Sequence, residues 1–243
     1  MYPDCGRNAQ SPINIETQST KYDPSLQPIK PLGYDSKLGE YFNLSNNGHT
    51  VVMSLPNYMS LEGLPKKYSA VQLHLHWGSR GTEEGSEHQL NGKTYLAEVS
   101  LFHRSAEFLG FTVLCQVQRT SSKSLVLFNF VFSAGDYVSL HSFDVHELLP
   151  KQMDKYFRYN GSLTTPPCSQ TVLWTVFAQS VQLSRQQVAV LSPFINEKRN
   201  LVHTVALYWR YGSWRKTLKA YQMHPFFMPR QFLSIDLCLA IDR

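Results

Sequence analysis

The chain has 243 residues, 42% of them hydrophobic and 17% charged, and a formal net charge of +5. That length suits one large domain burying roughly 70–75% of its unfolded surface, and the composition excludes an intrinsically disordered chain. The charge does not mark a nucleic-acid binder, because Arg210, Arg215, Lys216, Lys219 and Arg230 lie in a basic, aromatic-interleaved tail without a binding motif. No run of about 18 apolar residues is present to span a membrane. Met1-Tyr2-Pro3-Asp4-Cys5 also opens without the charged and apolar regions of a signal peptide. Four cysteines do not make a disulfide framework in a chain this long.

Residues 1–35, rich in Pro, Asn, Ser and Asp, predict an extended arm with turns. From Tyr41 to Leu61 the partial alternation at Val51, Met53 and Leu55 predicts strands joined by Gly and Asn turns. Lys66-Lys67-Tyr68 and Arg80–Gly85 read as loops, and Val71–His76 and Thr94–Phe102 as strands. Phe111–Val117 is an apolar, β-branched run that predicts a buried strand, and Gln170–Gln179 predicts another central one. Short helices are expected over Val145–Gln152 and over Ser184–Leu191, the latter with Ser184 as N-cap. There is no internal repeat, low-complexity segment or linker. The expected architecture is a single, mostly β (α+β) domain around a large, mostly antiparallel central sheet with short peripheral helices.

The stretch Gln72-Leu73-His74-Leu75-His76-Trp77-Gly78 carries the chemistry. On a strand, residues i and i+2 project from one face, so Gln72, His74 and His76 point together while Leu73 and Leu75 face the other way. Two neutral imidazoles side by side are half of a metal site, since catalytic zinc usually has three protein ligands and one open position. Taken alone, the dyad favours an ordinary half-buried strand with two polar histidines, since a two-residue motif recurs by chance.

The surrounding motifs are Gln10-Ser11-Pro12-Ile13-Asn14-Ile15, Asn46-Asn47-Gly48-His49, Gly85-Ser86-Glu87-His88, Tyr95-Leu96-Ala97-Glu98 and Asn160-Gly161-Ser162-Leu163-Thr164-Thr165-Pro166-Pro167-Cys168. In this order and spacing the set closely resembles the α-class carbonic anhydrases, in particular their extracellular, membrane-anchored branch of the isozyme-fourteen type. The resemblance covers 2–103 and 143–202 with interruptions. It implies a family domain over 1–202, shortened and divergent at 104–142, followed by a divergent tail over 203–243.

The resemblance implies reversible hydration of carbon dioxide to bicarbonate and a proton, with Zn²⁺ on His74 and His76. Thr164 and Glu87 are expected to orient the zinc hydroxide. His49 matches the proton shuttle, a role open to an imidazole that titrates near pH ~6.5. Gln72 and Glu98 match the acceptors that fix the tautomers of the ligand imidazoles. Phe102, Val113, Leu163, Thr165 and Trp174 match the substrate pocket, and His88 a structural position. The implied small molecules are CO₂ and bicarbonate, with sulfonamides or anions as inhibitors of a zinc-loaded form, and no nucleic acid. Cys5 and Cys168 match a disulfide of secreted members, so an extracellular or cell-surface location is expected. Asn43-Leu44-Ser45 and Asn160-Gly161-Ser162 are N-glycosylation sequons, as in a glycoprotein; the second lies inside the Thr164 loop motif and is expected to be unmodified.

The pattern breaks at one decisive position. The resembled family's third zinc ligand belongs where this chain has Ser100, and a neutral hydroxyl is a feeble zinc ligand. His103 is no easy substitute, because strand alternation puts Glu98, Ser100 and Phe102 on one face and Val99, Leu101 and His103 on the other. Phe102 also stands where a smaller aliphatic residue is usual. Impaired zinc binding and impaired turnover are therefore expected. The alternatives are a non-catalytic, carbonic-anhydrase-related binding protein and a non-functional splice or gene-model product.

Overall fold

Alternating apolar and polar residues make strands the dominant regular structure among the described residues. The computed structural model describes residues 2–35, 37–48, 50–78, 84–105, 108–117, 135–183 and 221–222. In chain order the strands are β1 (Asn14–Ile15), β2 (Lys21–Tyr22), β3 (Lys30–Leu32), β4 (Tyr41–Asn46), β5 (Val51–Ser54), β6 (Ser60–Glu62) and β7 (Tyr68–Trp77). They continue with β8 (Gln89–Leu90), β9 (Ala97–Arg104), β10 (Phe108–Val117), β11 (Tyr137–His141), β12 (Tyr156–Gly161), β13 (Val172–Phe177), β14 (Val181–Leu183) and β15 (Tyr221–Gln222).

The main sheet runs β11-β4-β5-β7-β9-β10-β13-β12-β15-β2. Most neighbours are antiparallel, while β10 pairs in parallel with β13 and β14, and β15 with β2. The expected mostly β, mostly antiparallel architecture is thus the observed one. Each face carries its own core. Leu73, Leu75, Val99 and Leu101 pack with Tyr34, Phe42, Leu44 and Tyr68 on one side. On the other, Phe102, Trp174, Tyr159 and Val172 form a second cluster with Leu163 against it. The longest buried strands lie in the middle of the sheet, which gives a rigid floor to whatever their polar face carries.

Three local expectations shift. The helix expected over Val145–Gln152 is a single 3-10 turn, Val145–Leu148, capped by the Asp144 side chain, which accepts from His146 N–H. Pro150 explains the stop: it has no N–H to donate and disfavours helical backbone at Leu149. Tyr68 belongs to β7 and not to a loop. The strand expected from Thr94 begins at Ala97, because Tyr95 O is already accepting from Gly85 N–H at 2.7 Å and Ser86 N–H at 2.9 Å. The Ser184–Leu191 helix and most of the Arg80–Gly85 loop lie outside the described residues. Cys5 and Cys168 form the expected disulfide across 163 positions, a closure that restricts the unfolded chain by about 5 kcal/mol in the entropy picture.

Candidate metal centre

β7 puts its histidines on the sheet face away from Leu73 and Leu75. A register shift between Ala70 and Gln72 leaves Val71 out of the ladder with β9, and beyond it Gln72 stands opposite Phe102, His74 opposite Ser100 and His76 opposite Glu98. His74 Nε2 and His76 Nε2 come to 3.1 Å of each other. Burial first, and then the neighbouring His76, push the His74 imidazole down to about 3, so it is neutral and able to ligate.

A tight turn brings in Glu87. Gly85 has no room for a side chain: a Cβ there would lie 2.3 Å from Gly78 N and 2.4 Å from Leu96 O. The Ser86 hydroxyl donates to His88 O at 2.7 Å and accepts from Tyr95 N–H at 2.9 Å, which aims Glu87 inward. Glu87 Oε2 is 3.3 Å from His76 Nε2, and the Thr164 hydroxyl is hydrogen-bonded to the same carboxyl group. Burial raises the Glu87 carboxyl above the ordinary carboxylate value, against the pull of His76 and Thr164. The Thr164 loop is held by Leu163 N–H donating to Ser169 O at 3.1 Å, by Trp174 Nε1–H donating to Ser162 O at 2.9 Å, and by the disulfide. Leu163 packs half-buried against the cluster of Trp174 and Phe102, and Thr165 is exposed on the loop. His49 and the Val113 side chain lie outside the described residues.

Two tautomer-fixing roles are not met in this geometry. His74 Nδ1 is buried without a hydrogen-bond partner, so Gln72 does not hold it. The Phe102 ring stacks on His74 instead, with centroids 5.3 Å apart and planes at 19°, and also meets Trp174 in a T-shaped contact. Glu98 serves His88 and neither ligand histidine. Its Oε2 accepts from His88 N–H at 2.8 Å and its Oε1 from His88 Nδ1–H at 2.9 Å. From the sheet, among the described residues, the short Ser100 and Thr112 side chains approach Glu98, each hydroxyl at 3.4 Å. Burial disfavours the Glu98 charge, but His88 outweighs it and holds the carboxyl down at about 2.

Tetrahedral zinc with bonds of about 2.0–2.1 Å separates two ligand nitrogens by roughly 3.3 Å. The 3.1 Å between His74 and His76 therefore fits two corners of such a site. The third corner does not fit. Ser100 is fully buried across from His74, and its hydroxyl is spent on Glu98 and, at 3.3 Å, on Thr112. Among the described residues, no third His, Cys, Asp or Glu atom joins the pair closely enough to share an ion; the one set of three that does lie close enough is Asp35, Asp144 and His146, elsewhere on the surface.

The family model of the eukaryotic-type carbonic anhydrases matches residues 1–211. The chain belongs to the carbonic anhydrase family. Over 207 residues it is 39% identical to carbonic anhydrase 12 of Homo sapiens, an overlap covering 78% of this chain and 58% of that protein. It is 35% identical to carbonic anhydrase 6 of Homo sapiens over 219 residues, covering 82% and 71% of the two chains. Against carbonic anhydrase 4 of Mus musculus the identity is 34% over 262 aligned positions, covering 96% and 80%. The chain thus spans little more than half the length of carbonic anhydrase 12. In carbonic anhydrases a catalytic zinc is held by three histidines; in this chain the residue across the ladder from His74 is Ser100.

His103 does not join the His74–His76 pair. It pairs with Ala70 in register, sits fully buried on the opposite sheet face, and is hydrogen-bonded through Nε2 to the Tyr34 hydroxyl. Burial lowers its imidazole to about 4, against a hydrogen bond with the Leu101 backbone. It is neutral in the fold and would protonate at ~6.5 when unfolded. The unfolded chain therefore binds more protons between these values, and stability falls as pH drops from about 6.5 to 4, by roughly 3 kcal/mol for this group alone. Urea midpoints measured across that range should fall steeply, and His103→Gln should flatten the slope by about one proton.

Tyr159 and Thr112 reach the site from outside the sequence motifs, and Ser11, although inside one of them, has no role there that the motif implies. Tyr159 OH is 2.6 Å from His88 Nε2 and donates to Ser11 Oγ at 2.9 Å, which continues the buried polar chain from Glu98 to the N-terminal arm. The available signal was weak: a tyrosine at an inward position of a central strand needs a partner for its hydroxyl.

Proposed function

We propose that this chain carries the carbonic anhydrase pocket for CO₂ hydration but holds zinc on two imidazoles only, so that zinc occupancy and turnover are both low. One observation carries this reading: His74 Nε2 and His76 Nε2 converge at 3.1 Å while the residue across the ladder from His74 is Ser100. Zinc, when bound, would supply the Lewis acidity of the family's chemistry. The chain's own part is to orient and to exclude water. The Thr164 hydroxyl, bonded to Glu87, is suited to fix the direction of a water in the pocket. Leu163, Trp174 and Phe102 would form the dry wall, with Thr165 at the rim and His49 as the route for the proton. An extracellular or cell-surface location is supported by the disulfide. No helix among the described residues is long and apolar enough to cross a membrane.

Metal analysis of the purified chain beside stopped-flow CO₂ hydration tests the proposal. The expected result is substoichiometric zinc, hydration close to the uncatalysed rate, and no sulfonamide binding until zinc is in excess. Stoichiometric zinc with family-like rates would overturn it. A second reading, a non-catalytic binding module on the same fold, is favoured by the Phe102 ring lying over His74. It predicts that excess zinc restores no turnover at all. A non-functional splice or gene-model product is tested on the transcript over codons 100–145 and 200–243; an uninterrupted mRNA would dismiss it.

A further inference from the structure

We propose that Asn43 is an N-glycosylation site, modified by an oligosaccharide delivered from a lipid diphosphate. The Asn43-Leu44-Ser45 sequon lies in the middle of β4, whose alternation separates its parts. Leu44 is fully buried in the core, so Asn43 and Ser45 share the opposite face. Asn43 is exposed there. Its partners on either side are small: Ser139 on β11 and Ser54 on β5, both exposed. The Ser139 hydroxyl donates to Asn43 Oδ1 at 2.9 Å. The amide is therefore oriented by its oxygen, and the nitrogen, the atom that carries the sugar, is turned away from that contact.

The neighbourhood suits a first sugar. Tyr41, 54% exposed, packs against His141 with ring centroids 4.6 Å apart, and Tyr137, 63% exposed, stands across from Ser45. Asn43 thus sits in a gap between two serines, bounded along the strands by aromatic rings that can face the apolar side of a pyranose. Among the described residues β11 pairs with β4 alone, so this is the end of the sheet, where a bulky group has space. The Cys5–Cys168 disulfide independently points to the oxidising compartment in which such transfer occurs.

In the transfer, Asn43 Nδ2 forms a bond to the anomeric carbon of the first N-acetylhexosamine. The bond from that carbon to the lipid diphosphate breaks, the diphosphate leaves with the bonding pair, and the amide gives up one proton. The test is expression of the full chain through the secretory pathway of cultured animal cells, followed by amidase deglycosylation in heavy-oxygen water and peptide mass spectrometry. Asn43 should be recovered as heavy-oxygen-labelled aspartate in most molecules. Ser45→Ala should reduce that label at least tenfold, and Ser45→Thr should retain it, both leaving Asn43 itself in place. A secreted, disulfide-linked chain whose Asn43 peptide is unmodified would overturn the proposal, as would equal labelling in Ser45→Ala.

Discussion

Ser100→His is expected to convert a two-ligand site into a three-ligand one, with the largest change in activity of any single substitution in this chain. The position is already correct: residue 100 faces His74 directly across the ladder, and side chains so placed have Cβ atoms about 4.5–5.5 Å apart. An imidazole there would also find a partner behind it, because the ionised Glu98 carboxylate lies 3.4 Å from the present Ser100 hydroxyl. Loss of a mere supporting hydrogen bond costs roughly 10–100-fold in metal affinity, so gain of a ligand should exceed about 100-fold. The larger ring must displace the Ser100–Thr112 contact, and overpacking of a filled core costs about 1–3 kcal/mol. Zinc affinity measured by competition with a chelator, alongside stopped-flow hydration, reads both effects. If the variant folds, as judged by its urea transition, yet binds zinc no more tightly, a missing ligand is not the fault and the two-corner account of the site fails.

His88→Ala should be the most destabilising change among the polar residues of the pocket. His88 and Glu98 are both fully buried, and the His88 ring is Glu98's close hydrogen-bond partner, at 2.9 Å. Removing His88 leaves a carboxylate buried with only its backbone donor and two distant hydroxyls, and breaking a buried pair in this way typically costs about 3–5 kcal/mol. It also strips Tyr159 of the contact at 2.6 Å that ties β12 to the pocket. Glu98→Gln keeps the shape, removes the charge, and should cost less. Urea unfolding of both variants against the parent chain checks the order. A loss under about 1 kcal/mol for His88→Ala would mean that the pair is solvated or readily replaced.

Much of this was legible in the residues themselves, for a local reason. A strand alternates with a period of two, so Gln72, His74 and His76 on one face and Leu73 and Leu75 on the other follow from order alone, once β7 is a strand. The same rule separates Ser100 from His103 and removes His103 as a ligand before any contact is known. Where local turn chemistry decided the outcome, the expectation was less secure: Pro150 shortened a helix to one turn, and the Tyr95 carbonyl, taken by Gly85 and Ser86, delayed a strand.

What the sequence by itself determined, then, is membership of the fold and the sidedness of its histidines, because both rest on short spacing and on which residue types recur. Only the tertiary structure decided who partners whom. Glu98 turned to His88, Phe102 covered His74 in place of a Gln72 hydrogen bond, and Tyr159 bridged His88 and Ser11 across separations of 71 and 148 positions. Such choices depend on register, on the slip at Val71 and on the space left by a short side chain at position 100. These are properties of neighbouring strands taken together, and no single strand encodes them.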